Sequence, residues 1–214
     1  LFDFLKGYNP IIQSLNAYIN KNALRDLPLF LIALEKFPFY EIVLKQLEKT
    51  DVNYQSLNPN QKAHVFAKAM LEENQLDFGS YPKGLFPFHK YNNDISTAFE
   101  EHLFEMAFYG SRKKPLKVHF TISEKHKDKF TAEFKRIEER VEKITGFQYD
   151  ISFSYQHQST DTIALAKDNE PFRNEDGSLY FRPSGHGALL KNLNAIDADI
   201  IFINNIDNVG LTKI

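Results

Sequence analysis

The sequence contains no cysteine, which excludes disulfides, thiolate catalysis and cysteine-held zinc and makes a reducing cytoplasm the expected compartment. It also lacks any apolar run near the roughly 20 residues that a membrane-spanning helix requires, so no membrane role is expected. The most lipophilic stretch, residues 27–39, is broken by Glu35, Lys36, Pro28 and Pro38. It has neither signal-peptide flanks nor a small-residue cleavage site, and is read as buried helix. Positive charge is not in surplus either. A formal net charge of -2 provides no broad field for a phosphate backbone, which sets nucleic acid aside as a partner. Leu1 is not preceded by a methionine, and Ile214 comes just after a polar motif, so further sequence is expected at both ends.

What is present is enough for a core: 214 residues, 43% of them hydrophobic, match one globular domain with a helical annex. Residues 1–76 carry helical spacing, first in Phe2, Leu5, Ile12, Leu15 and Ile19, then in Leu31, Leu34, Ile42, Leu44 and Leu47. Pro10, Pro28, Pro38 and Pro59 divide this part into short helices. In residues 77–96, Gly79, Pro82, Gly84 and Pro87 interrupt every period, which predicts a loop with one extended segment around residues 85–89.

From Thr97 an alternating α/β pattern begins. Thr97 and Glu100 fit a capping box for a helix whose Phe99, Leu103 and Met106 share a face. Leu116, Val118, Phe120 and Ile122 then alternate with polar residues, the period of two of a strand, with His119 on the polar face. Ser123 offers an N-cap to an amphipathic helix carrying Phe130, Phe134, Ile137, Val141 and Ile144, which Gly146 can close. Ile151, Phe153 and Tyr155 mark a second strand, so residues 115–156 read as a βαβ unit with parallel strands. After a long polar loop, residues 187–195 predict a short helix. The apolar run 200–203 predicts a strand buried on both faces at the centre of a sheet.

Ligands of open α/β sheets bind outside the carboxyl ends of the strands, and Asn204 to Asn208 would stand at such an end. An Asx-rich turn capping the strand is the plain reading. The functional one is a carboxylate, Asp207, directed at a ribose hydroxyl or at magnesium, which prefers oxygen ligands. In the loop Pro183-Ser184-Gly185-His186-Gly187, two glycines around a histidine let backbone amides approach a flat ring or an anion, although glycine is also common at ordinary helix starts. Lys83, on the turn Tyr81-Pro82-Lys83-Gly84-Leu85, can serve phosphates as a point charge or remain a solvated lysine. His102 and Glu105 have the spacing of di-metal carboxylate helices, but the matching ligands on other helices are missing.

Taken in order, these segments resemble the UTP-sugar pyrophosphorylase superfamily, most closely the UTP-glucose-1-phosphate uridylyltransferases. Pro183-Ser184-Gly185-His186-Gly187 and Asn205-Ile206-Asp207-Asn208-Val209-Gly210 look like that family's paired motifs, and Pro82-Lys83 resembles the end of its signature. Gln158 falls where uridylyltransferases carry a base-contacting glutamine. With Phe88-His89-Lys90-Tyr91 and Phe99-Glu100-Glu101-His102-Leu103, nearly the whole chain looks like a bacterial family named only domain of unknown function 4301.

The resemblance implies a Rossmann-like, GT-A-like α/β fold with a mixed, mostly parallel sheet, residues 77–214 forming part of it and residues 1–76 a helical insertion. It implies nucleotidyl transfer from a nucleoside triphosphate, UTP favoured, to a sugar 1-phosphate, with magnesium and release of pyrophosphate. Lys83 would hold triphosphate oxygens, and Asp207 with Asn205 the ribose, the sugar phosphate or the metal, Lys83 and Asp207 being the catalytic residues. Gln158 and Gly185 would contact the base and His186 the sugar phosphate, with Gly187 and Asn208 also lining the substrate site. The sequence departs from the pattern in three places. No glycine-rich phosphate loop stands between Leu1 and Pro82, a later catalytic lysine would fall beyond Ile214, and Ala188 replaces an acidic residue. An inactive nucleotide or nucleotide-sugar binder, a GT-A-like glycosyltransferase and a helical interaction protein built on residues 1–76 are the other readings.

Overall fold

The computed structural model describes residues 27–50, 52–92, 94–110 and 115–210. The helical spacing read for Phe2 to Ile19, with its break at Pro10, lies outside the described residues. The chain divides after Phe99 into two compact units. Among the described residues no helix is long and apolar enough to cross a membrane.

The first unit is built from α1 (Leu27–Ile32), α2 (Tyr40–Leu47), α3 (Pro59–Leu71) and a hairpin of β1 (Pro87–Tyr91) and β2 (Asp94–Thr97). The stretch read as buried helix is instead α1 and a 3-10 turn at Leu34–Lys36, ending just before α2. Leu27 and Leu34 are buried, but Leu29 and Ile32 face outward. The reason is local: Pro38 cannot donate a backbone hydrogen bond and biases Phe37 to extended backbone, so the helical path restarts at Tyr40. Pro59 acts as a start signal at the first position of α3. Ahead of it Asn58 and Gln61 form a reciprocal capping box, with bonds of 3.0 and 3.1 Å.

Leu34, Phe39, Val43, Leu47, Phe66, Met70 and Phe78 form the buried cluster of this unit. Rings of Phe37, Phe39, Phe78 and Phe86 meet there at centroid distances of 5.1 to 6.2 Å. Each fully buried side chain of this kind stabilises by roughly 1.5–3 kcal/mol. The loop expected over residues 77–96 contains two 3-10 turns, Phe78–Ser80 and Lys83–Leu85, and the extended segment predicted near residues 85–89 is β1. Its antiparallel partner β2 is additional. Asn92, in the left-handed region at φ 51°, lies in the connection between the two strands, a conformation asparagine tolerates better than most residues.

The second unit carries most of α4 (Ala98–Tyr109), then β3 (Leu116–Ile122), α5 (Lys127–Thr145) and β4 (Tyr149–Tyr155). As predicted, β3 and β4 are parallel, paired from Leu116↔Tyr149 to Ile122↔Tyr155. Phe130, Ile137 and Val141 of α5 are buried, and Phe130 meets Phe120 and Phe153 of the sheet at ring distances of 6.5 and 6.0 Å. Gly146 ends α5 in the left-handed region at φ 73°, its N–H donating to the Glu142 carbonyl at 2.8 Å. Ser123 does not cap α5 with its side chain. A 3-10 turn, Glu124–His126, intervenes, and the Ser123 carbonyl accepts from His126 N–H. On α4, Phe99 and Leu103 are buried as expected, and Tyr149 donates its hydroxyl to the Leu103 carbonyl at 2.8 Å. Glu100, fully buried, is held by the Arg140 guanidinium of α5.

Two expectations are corrected beyond β4. The fold is mixed α/β, but among the described residues its strands form three two-stranded sheets rather than one larger, mostly parallel sheet. The run 200–203 is not a central strand: among the described residues it pairs with no strand, and Ile200 and Ile203 are 76% and 73% exposed. Apolar composition raises strand propensity, but a strand also needs a neighbour for its backbone groups. In this unit β3 and β4 pair with each other. The polar loop between β4 and residue 183 folds on itself, with β5 (Thr162–Ile163) antiparallel to β6 (Phe181–Arg182). The short helix expected over residues 187–195 is a 3-10 turn, His186–Leu189, followed by α6 (Leu190–Leu193).

Candidate functional site

The carboxyl end of β4 is fixed to the segment that follows the Gly185-His186-Gly187 loop by one buried residue. Asn192 of α6 is 7% exposed; its Nδ2 donates to Ser154 Oγ at 2.9 Å and to the Tyr155 carbonyl at 2.8 Å. This clamp ties the helix that follows the glycine loop to a strand's carboxyl end, the side on which ligands of α/β sheets bind. Ser154 also stands 2.8 Å from His119 Nε2 and 3.1 Å from Thr121 Oγ1, while His119 Nδ1 is 2.8 Å from Ser152 Oγ. Burial holds the His119 imidazole below its ordinary pKa. At neutral pH the ring is therefore uncharged, donating from one nitrogen and accepting at the other.

A serine oxygen beside an imidazole nitrogen, with a third group orienting the ring, has the geometry of an activated nucleophile. Here it is a brace. Three partners exhaust the one O–H and two lone pairs of Ser154, so no lone pair is left to attack a substrate.

In the loop itself, Gly185 is extended at φ -72° and ψ -171°, and its carbonyl accepts from Ala188 N–H at 3.0 Å. Neither Gly185 nor Gly187 needs positive φ, and a Cβ added at either would meet nothing within 4 Å. The protein's own packing therefore does not demand glycine at either position, and their missing side chains leave open surface over the backbone. His186 is exposed beside them. Gln158, also exposed, opens the single turn Gln158–Thr160 just beyond β4.

Asn205 to Asn208 form a reverse turn closed by Asn208 N–H donating to the Asn205 carbonyl at 3.0 Å. Asn204 organises it: its Oδ1 accepts from Asn205 N–H at 3.0 Å and from Asn208 Nδ2 at 3.1 Å. The turn docks on α4, where His102 Nε2 lies 3.1 Å from the Ile206 carbonyl and Glu105 accepts from Asn204 Nδ2 at 3.2 Å. Asp207 projects from this turn as an exposed residue. The plain reading of an Asx turn is thus present in the geometry, and it caps no strand. Beside it, His102, Glu105, Met106, Tyr109, Phe202, Ile203 and Asn204 line a cleft of about 240 Å³.

Gln158 thus follows the end of β4 and Gly185-His186-Gly187 leads into the helix that Asn192 ties to that end, while Asn205, Asp207 and Asn208 belong to a turn held on α4 through a separate set of bonds. Lys83 belongs to the first unit, exposed at the start of its 3-10 turn. Among the described residues, no three or more of His, Cys, Asp and Glu are grouped to hold a metal ion. The sequence reading missed Asn192 and the docking role of His102 and Glu105. A lone asparagine in a short helix carries no signal of its long-range partner. The i,i+3 spacing of His102 and Glu105 did show a shared helix face.

No curated protein and no solved structure matches the chain. The family model described as domain of unknown function (DUF4301) matches residues 1–214, and the chain belongs to that family.

Proposed function

We propose that the second unit binds a nucleoside triphosphate, UTP favoured, in a GT-A-like manner, and that the protein transfers the nucleotidyl group to a sugar 1-phosphate. The observation that carries this reading is the open Gly185-His186-Gly187 backbone tied by Asn192 to the carboxyl end of a parallel strand. Bare backbone at such a position suits a flat base or a phosphate. Gln158 and Gly185 would face the base, and Gly187 and His186 the sugar phosphate. Asp207, with Asn205 and Asn208, would face the ribose or a magnesium ion.

Magnesium commonly takes one or two carboxylates and completes its shell with substrate phosphates and water. A single exposed Asp207 carboxylate on an amide-rich turn fits that arrangement, and a bound ion would supply neutralising charge to the phosphate oxygens. In the reaction, a sugar phosphate oxygen forms a bond to the α-phosphorus while the bond to the β-phosphate bridging oxygen breaks and pyrophosphate leaves. Such a step needs positioning and charge rather than a protein nucleophile. The saturated Ser154 hydroxyl is consistent with this.

Calorimetric titration with UTP, ATP, GTP, CTP and TTP, with and without magnesium, tests the reading. Selective binding that requires magnesium and is lost in Asp207→Asn supports it, and sugar 1-phosphates are then screened for pyrophosphate release. If no nucleotide binds at millimolar concentration, the transferase reading is wrong. Binding of a nucleotide sugar without pyrophosphate release would favour an inactive binder or a glycosyltransferase.

A further inference from the structure

We infer that His102 and Glu105 of α4 are the positioning residues of the Asp207 turn: they hold it from behind without touching ligand. This rests on the function proposed above and adds to it residues outside both glycine and asparagine motifs. The Ile206 carbonyl can only accept, so the His102 nitrogen 3.1 Å away must carry the proton and donate. Ile206 adjoins Asp207, so this bond fixes the peptide that sets the direction of the carboxylate.

Glu105 supplies the second point of attachment. Its carboxylate accepts from Asn204 Nδ2 at 3.2 Å and from the Tyr109 hydroxyl at 3.0 Å. Asn204 then passes the constraint to Asn205 and Asn208 through its Oδ1. His102 is itself immobilised: it is 8% exposed, its ring stands 6.5 Å from that of Phe120, and Nδ1 lies 3.6 Å from Glu105 Oε2.

An exposed turn of this kind has only its internal bonds to oppose the conformational entropy of several residues, roughly 1–2 kcal/mol for each. Two attachments to α4, one at Asn204 and one at Ile206, restrict it to one orientation. The same pair forms part of the wall of the 240 Å³ cleft, where His102 Nε2 and both Glu105 oxygens already face the turn and Tyr109.

The test uses the full chain labelled with 15N, in three variants: His102→Leu, His102→Gln and Asn204→Ala. The amide signals of residues 205–208 are followed, together with titration of UTP and magnesium. His102→Leu and Asn204→Ala are expected to move those amide signals and weaken UTP binding about tenfold, the loss of one net hydrogen bond. His102→Gln, which keeps a donor, should restore most of both. Asn204 is exposed, so its variant remains informative if a change at His102 disturbs folding. Unchanged amide signals in both His102→Leu and Asn204→Ala would overturn the inference. Failure of the unmodified chain to bind UTP would sink the proposed function instead, with the amide signals still deciding the role of His102.

Discussion

The second unit contains two regions of similar apolar content and opposite fate. In the β3-α5-β4 segment, Phe120, Phe130, Ile137 and Val141 are buried and every residue of the two strands has a register partner on the other. In the segment after β6, Ile200, Phe202 and Ile203 are exposed, and Phe202 stacks 4.7 Å from Tyr109. The difference is closure. A βαβ unit brings its own partners within about forty residues, so periodicity and pairing agree. An apolar tetrapeptide has no such built-in partner, and its hydrophobicity cannot choose one. Side-chain content therefore predicts burial only where the chain also provides the surface to be buried against.

The sharpest way to break this comparison is at the buried ion pair. Arg140→Ala removes the guanidinium from the fully buried Glu100, and urea unfolding should show a loss of about 3–5 kcal/mol. A loss under about 1 kcal/mol would mean that Glu100 is neutral or compensated elsewhere. A truncation pair comes next. Ile137→Ala, on the fully buried face of α5, should cost roughly 3 kcal/mol. Ile203→Ala should stay within about 0.5 kcal/mol, as surface changes usually do. Equal losses at the two positions would show that residues 200–203 are buried in solution.

The smallest effect expected is that of pH. Burial lowers the pKa of His119 below the ordinary 6.5, so between that value and the folded-state one the unfolded chain binds more protons. Stability should therefore fall as pH drops through and below 6.5. His119→Gln should flatten part of that slope, measured as the urea midpoint from pH 7.5 to 5. An unchanged slope would assign the pH dependence to other groups, such as His64 and His126, which burial also lowers.

Local chemistry was legible wherever it was complete in one stretch. Gly146 could be read as a helix stop because glycine alone enters the left-handed region without a Cβ penalty, and it does so at φ 73°. The parallel pairing of β3 and β4 followed from the helix between them. Pro59 was legible only as a breaker, although Asn58 and Gln61 beside it carried the capping signal. The β1-β2 hairpin was half read, since its second strand has only four residues. At the candidate site, the glycine loop and the Asn205 to Asn208 turn were visible as motifs. Their anchors were not: Asn192 reaches back 38 residues to Ser154, and His102 reaches forward 104 to Ile206.

The sequence by itself determined the βαβ unit, the amphipathic face of α5, the absence of disulfide chemistry and the membership in its family, because each depends on nearby residues or on composition. Only the tertiary structure decided that residues 200–203 stay outside any sheet, that the Ser154 hydroxyl is saturated, and that α4 carries the Asp207 turn. Those outcomes depend on which distant donor meets which acceptor, and hydrogen bonds between residues far apart in the chain leave no period in it.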